Sequence, residues 1–292
     1  MRKSYSEASA RERVLGLLDA GSFTEFVPPS ERASSPHLAQ LDQPVAFDDG
    51  LIAGRGTLDG KPVLIAAQEG RFLGGAVGEV HGAKLVGLIR RAVAEKPAAV
   101  LILFDSGGVR LHEANAGLIA VSEILRAICA ARAEGVRFVG LIGGSAGCFG
   151  GTGLIARCCD AIAISEEGRL AMSGPEVIET VHGVEEFDSR DRALVWRVTG
   201  GKHRYLLGET DRICEDDIAA FREAAIALTD GPAGLTLQDI EHEHAQLAAR
   251  WEAFSDCDDG LDVWQRMGVA NAGSVAMLDT EAFTALADEV RP

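Results

Sequence analysis

The amino-acid sequence predicts an α/β protein built on a largely parallel sheet. Three short apolar runs recur along the chain, at residues 99–104, 138–142 and 160–164, and the first two lead into paired glycines. An unbroken apolar run of this length is typical of a strand that is buried on both faces. Helical periodicity separates the runs, which favours right-handed βαβ crossovers. Loops at the carboxyl ends of these strands are therefore the expected location of a functional site.

The first fifty residues predict a helix followed by irregular structure. Residues 4–20 show amphipathic helical spacing, and Gly21 would end that helix. Prolines recur between positions 22 and 50, which favours an irregular segment. The apolar positions of the predicted helix are Val14, Leu15, Leu17 and Leu18.

The rest of the chain predicts a hairpin and then alternating helices and strands. Residues 51–58 and 62–68 flank the turn Asp59-Gly60, which is a hairpin signal. A loop is expected at residues 200–204. Helices are predicted at residues 79–95, 113–133, 150–158, 175–199, 215–229 and 237–254. We expect three parts: a helical and irregular lead-in (1–50), the main α/β domain (51–235) and a helical extension (236–292).

Composition and charge argue against several classes of protein. The net charge is −16, whereas binding to nucleic acid requires a basic footprint. An acidic chain is also a poor binder of membrane surfaces, and no apolar run reaches the roughly 18 residues of a membrane span. None of the six cysteines forms a C-x-x-C pair, so a zinc ribbon is not expected. No signal peptide is evident at the start, and we expect a cytoplasmic protein.

Paired glycines at two predicted strand ends suggest a catalytic role for the backbone. Gly107-Gly108 follow the first buried strand and Gly143-Gly144 follow the second, and a helix comes after each loop. Glycine lets backbone N–H groups approach a ligand closely, and the first N–H groups of a helix have no partner within it. Two such loops side by side could direct two donors at one oxygen, as in an oxyanion hole. This arrangement suits a thioester enolate, although each pair could also be only a tight turn.

Two other interpretations of the same region stay open. Residues 143–147 fit G-x-S-x-G, the nucleophile elbow of hydrolases, which would make Ser145 the nucleophile of a serine hydrolase. An elbow places its helix directly after the serine, however, and here further residues intervene before the next glycine pair. A non-catalytic scaffold subunit, whose partner carries out the chemistry, is the other alternative.

The remaining motifs give weaker signals. Residues 105–108 lack the spacing and the lysine of a phosphate loop. The sequence His242-Glu243-His244 lies in a polar helical stretch, and no metal site is predicted. One basic cluster is either a solvated helix face or a dock for the phosphates of a CoA-like arm or for an acidic carrier protein. Its members are Arg190, Arg192, Arg197, Lys202, His203 and Arg204.

Several motifs in combination resemble the carboxyltransferase β subunits of acyl-CoA carboxylases. The resemblance covers roughly residues 50–230 and implies a crotonase-type α/β fold, a superhelix of repeated ββα units, here with N- and C-terminal helical extensions. The motifs are residues 54–63, residues 72–84, the S-G-G-x-R sequence at 106–110, Gly150-Gly151, Asp160 and residues 174–178.

The resemblance also implies site residues. It places the thioester oxygen between backbone N–H groups of two loops, with Gly151 as the preferred donor on the helix side. The implied oxyanion donors are Gly107, Gly108, Gly150 and Gly151. The implied substrate-binding residues are Phe72, Gly74 and Gly75 of the loop that lines the acyl-thioester channel, together with Arg110. The candidate proton donors are His112, Glu113 and Ser145, beside water or a residue of a partner.

Departures from that family narrow the resemblance. The first cysteine is Cys129, so the N-terminal zinc ribbon of bacterial acetyl-CoA carboxylase β subunits is missing. The continuation at residues 111–117 and the C-terminal extension are similar to the β subunit of biotin-independent malonate decarboxylase. This implies a γ-subunit partner in a hetero-oligomer and no covalently bound cofactor. The implied substrate is a malonyl group on the phosphopantetheine-type arm of an acyl carrier protein. A biotin-dependent acyl-CoA carboxyltransferase is the alternative.

Overall fold

The computed structural model describes residues 3–40 and 49–291. The predictions for residues 1–2 and for residues 41–48, which include Pro44, fall outside this part of the chain. The strands are β1 (Thr24–Phe26), β2 (Leu51–Leu58), β3 (Lys61–Gln68), β4 (Ala99–Phe104), β5 (Phe138–Ile142), β6 (Cys148–Phe149), β7 (Ala161–Ser165), β8 (Leu170–Ala171) and β9 (Arg212–Cys214). The helices are α1 (Ala10–Leu17), α2 (Pro36–Gln40), α3 (Glu79–Glu95), α4 (Ala116–Ala133), α5 (Gly151–Arg157), α6 (Pro175–His182), α7 (Arg192–Thr199), α8 (Gly201–Leu206), α9 (Ile218–Thr229), α10 (Leu237–Phe254), α11 (Gly260–Arg266) and α12 (Thr280–Val290).

The main sheet has the strand order β1-β2-β3-β4-β5-β7-β9. Its first three strands are antiparallel, and pairing from β3 onward is parallel. The predicted hairpin is confirmed, with Asp59 and Gly60 at positive φ between β2 and β3. The short strands β6 and β8 pair in a separate parallel sheet. Cys148 of β6 also forms a bridge with Ser106, which lies just beyond the carboxyl end of β4.

Both faces of the main sheet are covered, as the unbroken apolar strands predict. The side chains of β4 alternate between the two cores, as expected for a strand. Val100, Ile102 and Phe104 pack with the helices α3 and α4. Leu101 and Leu103 pack on the other side with α1 and α9. The two cores hold the carboxyl ends of β4 and β5 in fixed positions, and the functional loops leave from there.

The C-terminal helices form a third, smaller core. Trp264 of α11 and Phe283 of α12 pack around Tyr205 and Leu206 of α8. Helix α10, by contrast, has no buried residue. No helix in the described ranges is long and apolar enough to cross a membrane.

The first helix is shorter than predicted and faces the core differently. It begins at Ala10 because Ser9 and Glu12 form a capping box. Leu15, predicted to be on the apolar face, is 55% exposed. The buried face instead includes Arg13, a charged residue among apolar neighbours.

Two other helix predictions were wrong at their boundaries, and one loop prediction was wrong. The helix predicted from residue 113 begins at Ala116, because residues 111–113 form a 3-10 turn and Ala114 has φ 50°. The predicted helix at 175–199 is divided into α6 and α7, with Gly183 ending the first at φ 96°. The predicted loop at residues 200–204 is mostly the helix α8.

Candidate functional site

Backbone hydrogen bonds join three loops that follow β3, β4 and β5. The Gly107 N–H donates to the Gly74 carbonyl (2.8 Å), and the Val77 N–H donates to the Gly108 carbonyl (2.8 Å). The first two loops are therefore held against each other along their backbones. They are packed so tightly that a Cβ on Gly75 would lie 1.8 Å from the Asp105 carbonyl oxygen.

The third loop brings the second glycine pair to the first. The Ser106 N–H donates to the Gly147 carbonyl (2.7 Å), and the Phe149 N–H donates to the Ser106 carbonyl (3.1 Å). A Cβ on Gly150 would lie only 3.5 Å from the Gly108 Cα. The two glycine pairs singled out in the sequence are thus neighbours in space.

Three of the four glycine N–H groups have acceptors within the chain. Besides the Gly107 bond to Gly74, the Gly108 N–H donates to the Ser106 Oγ (3.1 Å) and the Gly150 N–H to the Met172 carbonyl (3.0 Å). These bonds fix the shape of the loops. They also engage donors that the sequence analysis assigned to the thioester oxygen.

Next to the glycine pairs, two N–H groups have no acceptor among the described residues, as is also true of the Thr152 and Gly153 N–H groups in the first turn of α5. One belongs to Gly151, the first residue of α5, where a helix offers no acceptor of its own. The other belongs to Val109, which pairs with Val77 in a short parallel bridge. The hydrogen bonds of that bridge involve the Gly108 carbonyl and the Arg110 N–H, so the Val109 N–H takes no part in them. Val109 was not among the predicted residues, although it follows the glycine pair directly.

Glycine is required at two positions of the third loop for different reasons. Gly150 has φ 58° and ψ −132°, a conformation that side chains disfavour. Gly151 has no such constraint, but a Cβ there would lie 2.7 Å from a methyl carbon of Val121 on α4. The start of α5 therefore approaches α4 closely.

A buried carboxylate behind the loops was missed in the sequence. Asp105 is 2% exposed, and it accepts hydrogen bonds from the Arg13 Nη1 (2.7 Å) and the Ala146 N–H (2.7 Å). Its carboxylate fits beside Gly144, where a Cβ would lie 2.1 Å from the Asp105 Cγ. The sequence did contain an indication of this pair. Arg13 occupies a position on the apolar face of α1, where a charged residue needs a buried partner, and Asp105 directly precedes the S-G-G-x-R sequence.

Arg110 is buried and braces the first loop. Its Nη1 donates to the Glu113 Oε1 (2.9 Å), and its Nη2 donates to the carbonyls of Asp49 (3.0 Å) and Ala76 (3.1 Å). The guanidinium also lies 5.4 Å from the Phe72 ring centroid. The prediction that Arg110 binds substrate gains no support from these inward contacts, which instead fix the Phe72 loop.

The candidate proton donors differ in accessibility. Glu113 is fully buried, and its Oε2 accepts from the Glu79 N–H (2.6 Å) while Arg110 holds its Oε1. His112 and Ser145 are exposed. No histidine in the described part of the chain forms a hydrogen bond with Ser145, whereas the nucleophile of a serine hydrolase is paired with a histidine base.

The predicted basic cluster does not form one surface. Four of its side chains are engaged within the protein, which argues against a common phosphate dock. The contacts are Arg197 with Asp259, Lys202 with Glu166, His203 with Trp264, and Arg204 with Glu209. Arg192 is exposed and stacks on Trp196, 5.0 Å from its ring centroid.

The next features are the possible metal ligands and the thiol near the loops. Within residues 3–40 and 49–291, no group of three or more histidine, cysteine or acidic side chains could hold a metal ion. Burial raises the pKa of the Cys148 thiol, which lies between the glycine loops. A thiol that stays protonated is a poor nucleophile.

Residues 4–230 match the family model described as the carboxyl transferase domain. The matched region contains all three loops, the Arg13–Asp105 pair and the strands β1 to β9. Helices α10, α11 and α12 lie beyond it.

Individual relatives extend the similarity over the whole chain. The malonyl-S-ACP:biotin-protein carboxyltransferase of Malonomonas rubra is 41% identical, covering 99% of this chain and 97% of the relative. A Pseudomonas malonate decarboxylase hetero-tetramer, solved in complex with malonate, contains a chain that is 36% identical with a TM-score of 0.81; the match covers 91% of this chain and 97% of that one. A Pseudomonas malonate decarboxylase hetero-dimer contains a chain that is 34% identical with a TM-score of 0.68, covering 85% and 97%. The predicted α/β, crotonase-type class is confirmed by this likeness.

Proposed function

Because this chain belongs to the carboxyl transferase domain family, we propose that it is the β-type subunit of a malonate decarboxylase. Its substrate would be a malonyl group on an acyl carrier protein, and its products the acetyl carrier protein and CO2. The carrier's phosphopantetheine-type arm would present the thioester, with no cofactor bound covalently to this chain. The names of the Malonomonas and Pseudomonas relatives support this choice of substrate.

One observation carries the proposal: the Gly151 N–H has no acceptor in the described protein although it stands where two glycine loops meet. An N–H left without a partner at such a junction is suited to a ligand oxygen. The Val109 N–H, which also lacks an acceptor in the described ranges, would be the second donor. Gly107, Gly108 and Gly150 would then shape the site through their own hydrogen bonds, as we propose for Gly74 and Gly75 in the adjoining loop.

The reaction would proceed through an enolate. Cleavage of the bond between C2 and the carboxylate releases CO2 and leaves its electron pair on the thioester, so negative charge develops on the thioester oxygen. One preorganised donor can contribute about 3–4 kcal/mol to such a transition state. Protonation of C2 then gives the acetyl thioester. The exposed His112 and Ser145 remain candidates for that proton, whereas Glu113 is already held by Arg110 and the Glu79 N–H.

The surface around the loops supports a partner subunit. Large apolar side chains are exposed next to each loop, and such patches mark interaction sites. We propose that a γ subunit covers them and closes the acyl-thioester channel beside Phe72. The exposed residues are Leu73, Leu111, Leu118, Leu154, Met172 and Val177.

A biotin-linked carboxyltransferase is the second candidate, because the Malonomonas relative is named for transfer to a biotin protein. Both reactions begin with the same bond cleavage and the same enolate. They differ in whether CO2 is released or captured by biotin.

The test is CO2 release from malonyl carrier protein by the natively co-purified complex, with and without avidin. Release that avidin does not affect is expected for the proposed decarboxylase. Release that avidin abolishes would establish the biotin-linked reaction instead. An intact complex that releases no CO2 under either condition would contradict the decarboxylase.

A further inference from the structure

A cation stands beside the third glycine loop, on the short strand pair β6–β8. Arg169 directly precedes β8, and its carbonyl accepts from the Cys148 N–H (2.8 Å). Its side chain turns toward the same loop, because the Arg169 Nη2 donates to the Ser145 carbonyl. The guanidinium is thereby fixed at the base of the loop that carries Gly150 and Gly151.

Two aromatic rings hold this guanidinium in place. Its Cζ lies 5.5 Å from the ring centroid of Phe149 and 4.8 Å from that of Trp196. Such cation–π contacts orient an arginine without neutralising its charge. A guanidinium that is already oriented loses little side-chain entropy when it binds an anion.

The charge of Arg169 has no carboxylate partner at ion-pair distance among the described residues. Its Nε is buried without an acceptor. The Arg169 Nη1 has no acceptor in the described residues either, but this atom is not buried, so it can reach solvent. The nearby charges of Glu176, Asp105 and Glu167 act on Arg169 electrostatically without forming an ion pair.

A second arginine uses the same aromatic ring. Arg192 lies 5.0 Å from the centroid of Trp196, is exposed, and likewise has no ion pair within the described ranges. The charge of Arg192 also acts on Arg169, so an anion that bound both guanidinium groups would reduce their mutual repulsion. Four of the six members of the basic cluster are engaged within the protein, whereas Arg192 stays exposed beside Arg169.

We propose that Arg169 and Arg192 form an anion subsite beside the glycine loops, which binds an anionic group of the acyl-thioester substrate. The inference rests on the proposed function, and two anions of that substrate have the required chemistry. One is the free carboxylate of the malonyl group; the other is the phosphate of the carrier arm. A planar guanidinium group can bind a carboxylate or a phosphate, because either anion presents a pair of oxygens to parallel N–H donors.

The experiment compares two small substrates with the natively co-purified complex. Malonyl-pantetheine carries the carboxylate alone, and malonyl-4′-phosphopantetheine carries the carboxylate and a phosphate. The variants are Arg169→Met, which keeps the stem between the rings, and Arg192→Met, which changes an exposed residue and should fold normally. Arg126→Met, an exposed arginine of α4 paired with Glu123, controls for the loss of one positive charge.

We expect Arg169→Met and Arg192→Met to raise KM by about 10-fold or more, as for the loss of a charge-assisted hydrogen bond, while Arg126→Met leaves KM unchanged. An increase with the phosphorylated substrate alone identifies the phosphate as the ligand. An equal increase with both substrates identifies the carboxylate. KM values within twofold of wild type for both variants and both substrates would overturn the subsite.

Direct binding separates this inference from the proposed function. Calorimetry with malonate and with inorganic phosphate, on wild type and Arg169→Met, needs no turnover. If the wild-type complex decarboxylates neither these substrates nor malonyl carrier protein, the proposed function fails, and Arg169-dependent binding of either anion would still support the subsite. Identical binding by wild type and Arg169→Met would reject it.

Discussion

The Arg13 guanidinium donates to the Asp105 carboxylate across 2.7 Å, and both side chains are at most 3% exposed. The pair joins helix α1 to the carboxyl end of β4, 92 residues away along the chain. The guanidinium is fully engaged, with further bonds to the carbonyls of Tyr5 (2.7 Å) and Ser6 (3.0 Å). Since Asp105 also accepts from the Ala146 N–H, one buried carboxylate connects the N-terminal helix to two of the three glycine loops.

Removing one member of this pair should cost more stability than removing both charges. Arg13→Met leaves Asp105 buried without a countercharge, which typically costs about 3–5 kcal/mol. The double variant Arg13→Met/Asp105→Asn carries no buried charge and keeps an oxygen for the Ala146 N–H, so it should regain part of that loss. Urea unfolding of the two variants and wild type measures both values. A double variant less stable than Arg13→Met would contradict the argument.

The proposed oxyanion donor can be removed by a proline substitution whose alanine control carries the same Cβ. Gly151→Pro deletes the N–H, and proline is tolerated at the first residue of a helix. Gly151→Ala retains the N–H and introduces the same Cβ beside Val121. We expect kcat of the proline variant to be about 100-fold lower than that of the alanine variant, the loss typical of one oxyanion donor.

The control for crowding is Val121→Ala in both backgrounds, which relieves the close contact at 2.7 Å. The difference between proline and alanine should persist in that background, because it depends on the N–H and not on packing. Equal kcat values for folded Gly151→Pro and Gly151→Ala complexes would exclude Gly151 as the donor.

Arg110 should act on the substrate through the loop that it braces. Lysine cannot reproduce its separate bonds to Glu113, Asp49 and Ala76. We expect Arg110→Lys to speed amide hydrogen exchange in residues 72–78 and to raise KM for the malonyl thioester. Arg126→Met, remote from this network, should change neither. Unchanged exchange in residues 72–78 together with a raised KM would instead favour direct contact between Arg110 and the substrate.

The regular elements of the core could be predicted because each depends on a local pattern. Helix α3 and strands β2, β4 and β5 have the predicted bounds, since burial on one or both faces leaves a clear hydrophobic period. Short strands such as β6 and β8, of two residues each, carry no such period. They exist because the loops around Gly147 and Arg169 pack together, a tertiary effect.

The site could be predicted only as far as its glycines. The sequence indicates which loops meet, but the direction of an N–H depends on backbone angles that no single residue type determines. For this reason the sequence did not reveal that the Gly108 N–H donates to the Ser106 Oγ. It also did not reveal that the Val109 N–H has no acceptor in the described residues. Arg169 was missed for another reason, because its aromatic contacts come from Phe149 and Trp196, which lie 20 and 27 positions away along the chain.

Buried histidines should make the protein less stable in acid. Burial, followed by the charges of Arg204 and Arg250, lowers the pKa of His203 to about 3, and burial lowers the pKa of His81 to about 3. Unfolded histidine titrates near 6.5. Below pH 6.5 the unfolded chain therefore binds protons that the folded chain does not, and the free energy of unfolding falls as the pH decreases toward 3. Each histidine should contribute a loss of about 2 kcal/mol between pH 7.5 and 5.0.

His203→Gln isolates one of these contributions. The neutral His203 Nδ1 accepts from the Trp264 Nε1 (3.1 Å), and a glutamine oxygen can accept the same bond without titrating. The carboxylates titrate alike in both proteins, so the difference between variant and wild type reports His203 alone. Urea unfolding at pH 7.5 and 5.0 should therefore show a loss of stability that is smaller in His203→Gln by about 2 kcal/mol. The same loss in both proteins would mean that His203 is protonated in the folded state at pH 5.0, and hence that the core around Trp264 admits water.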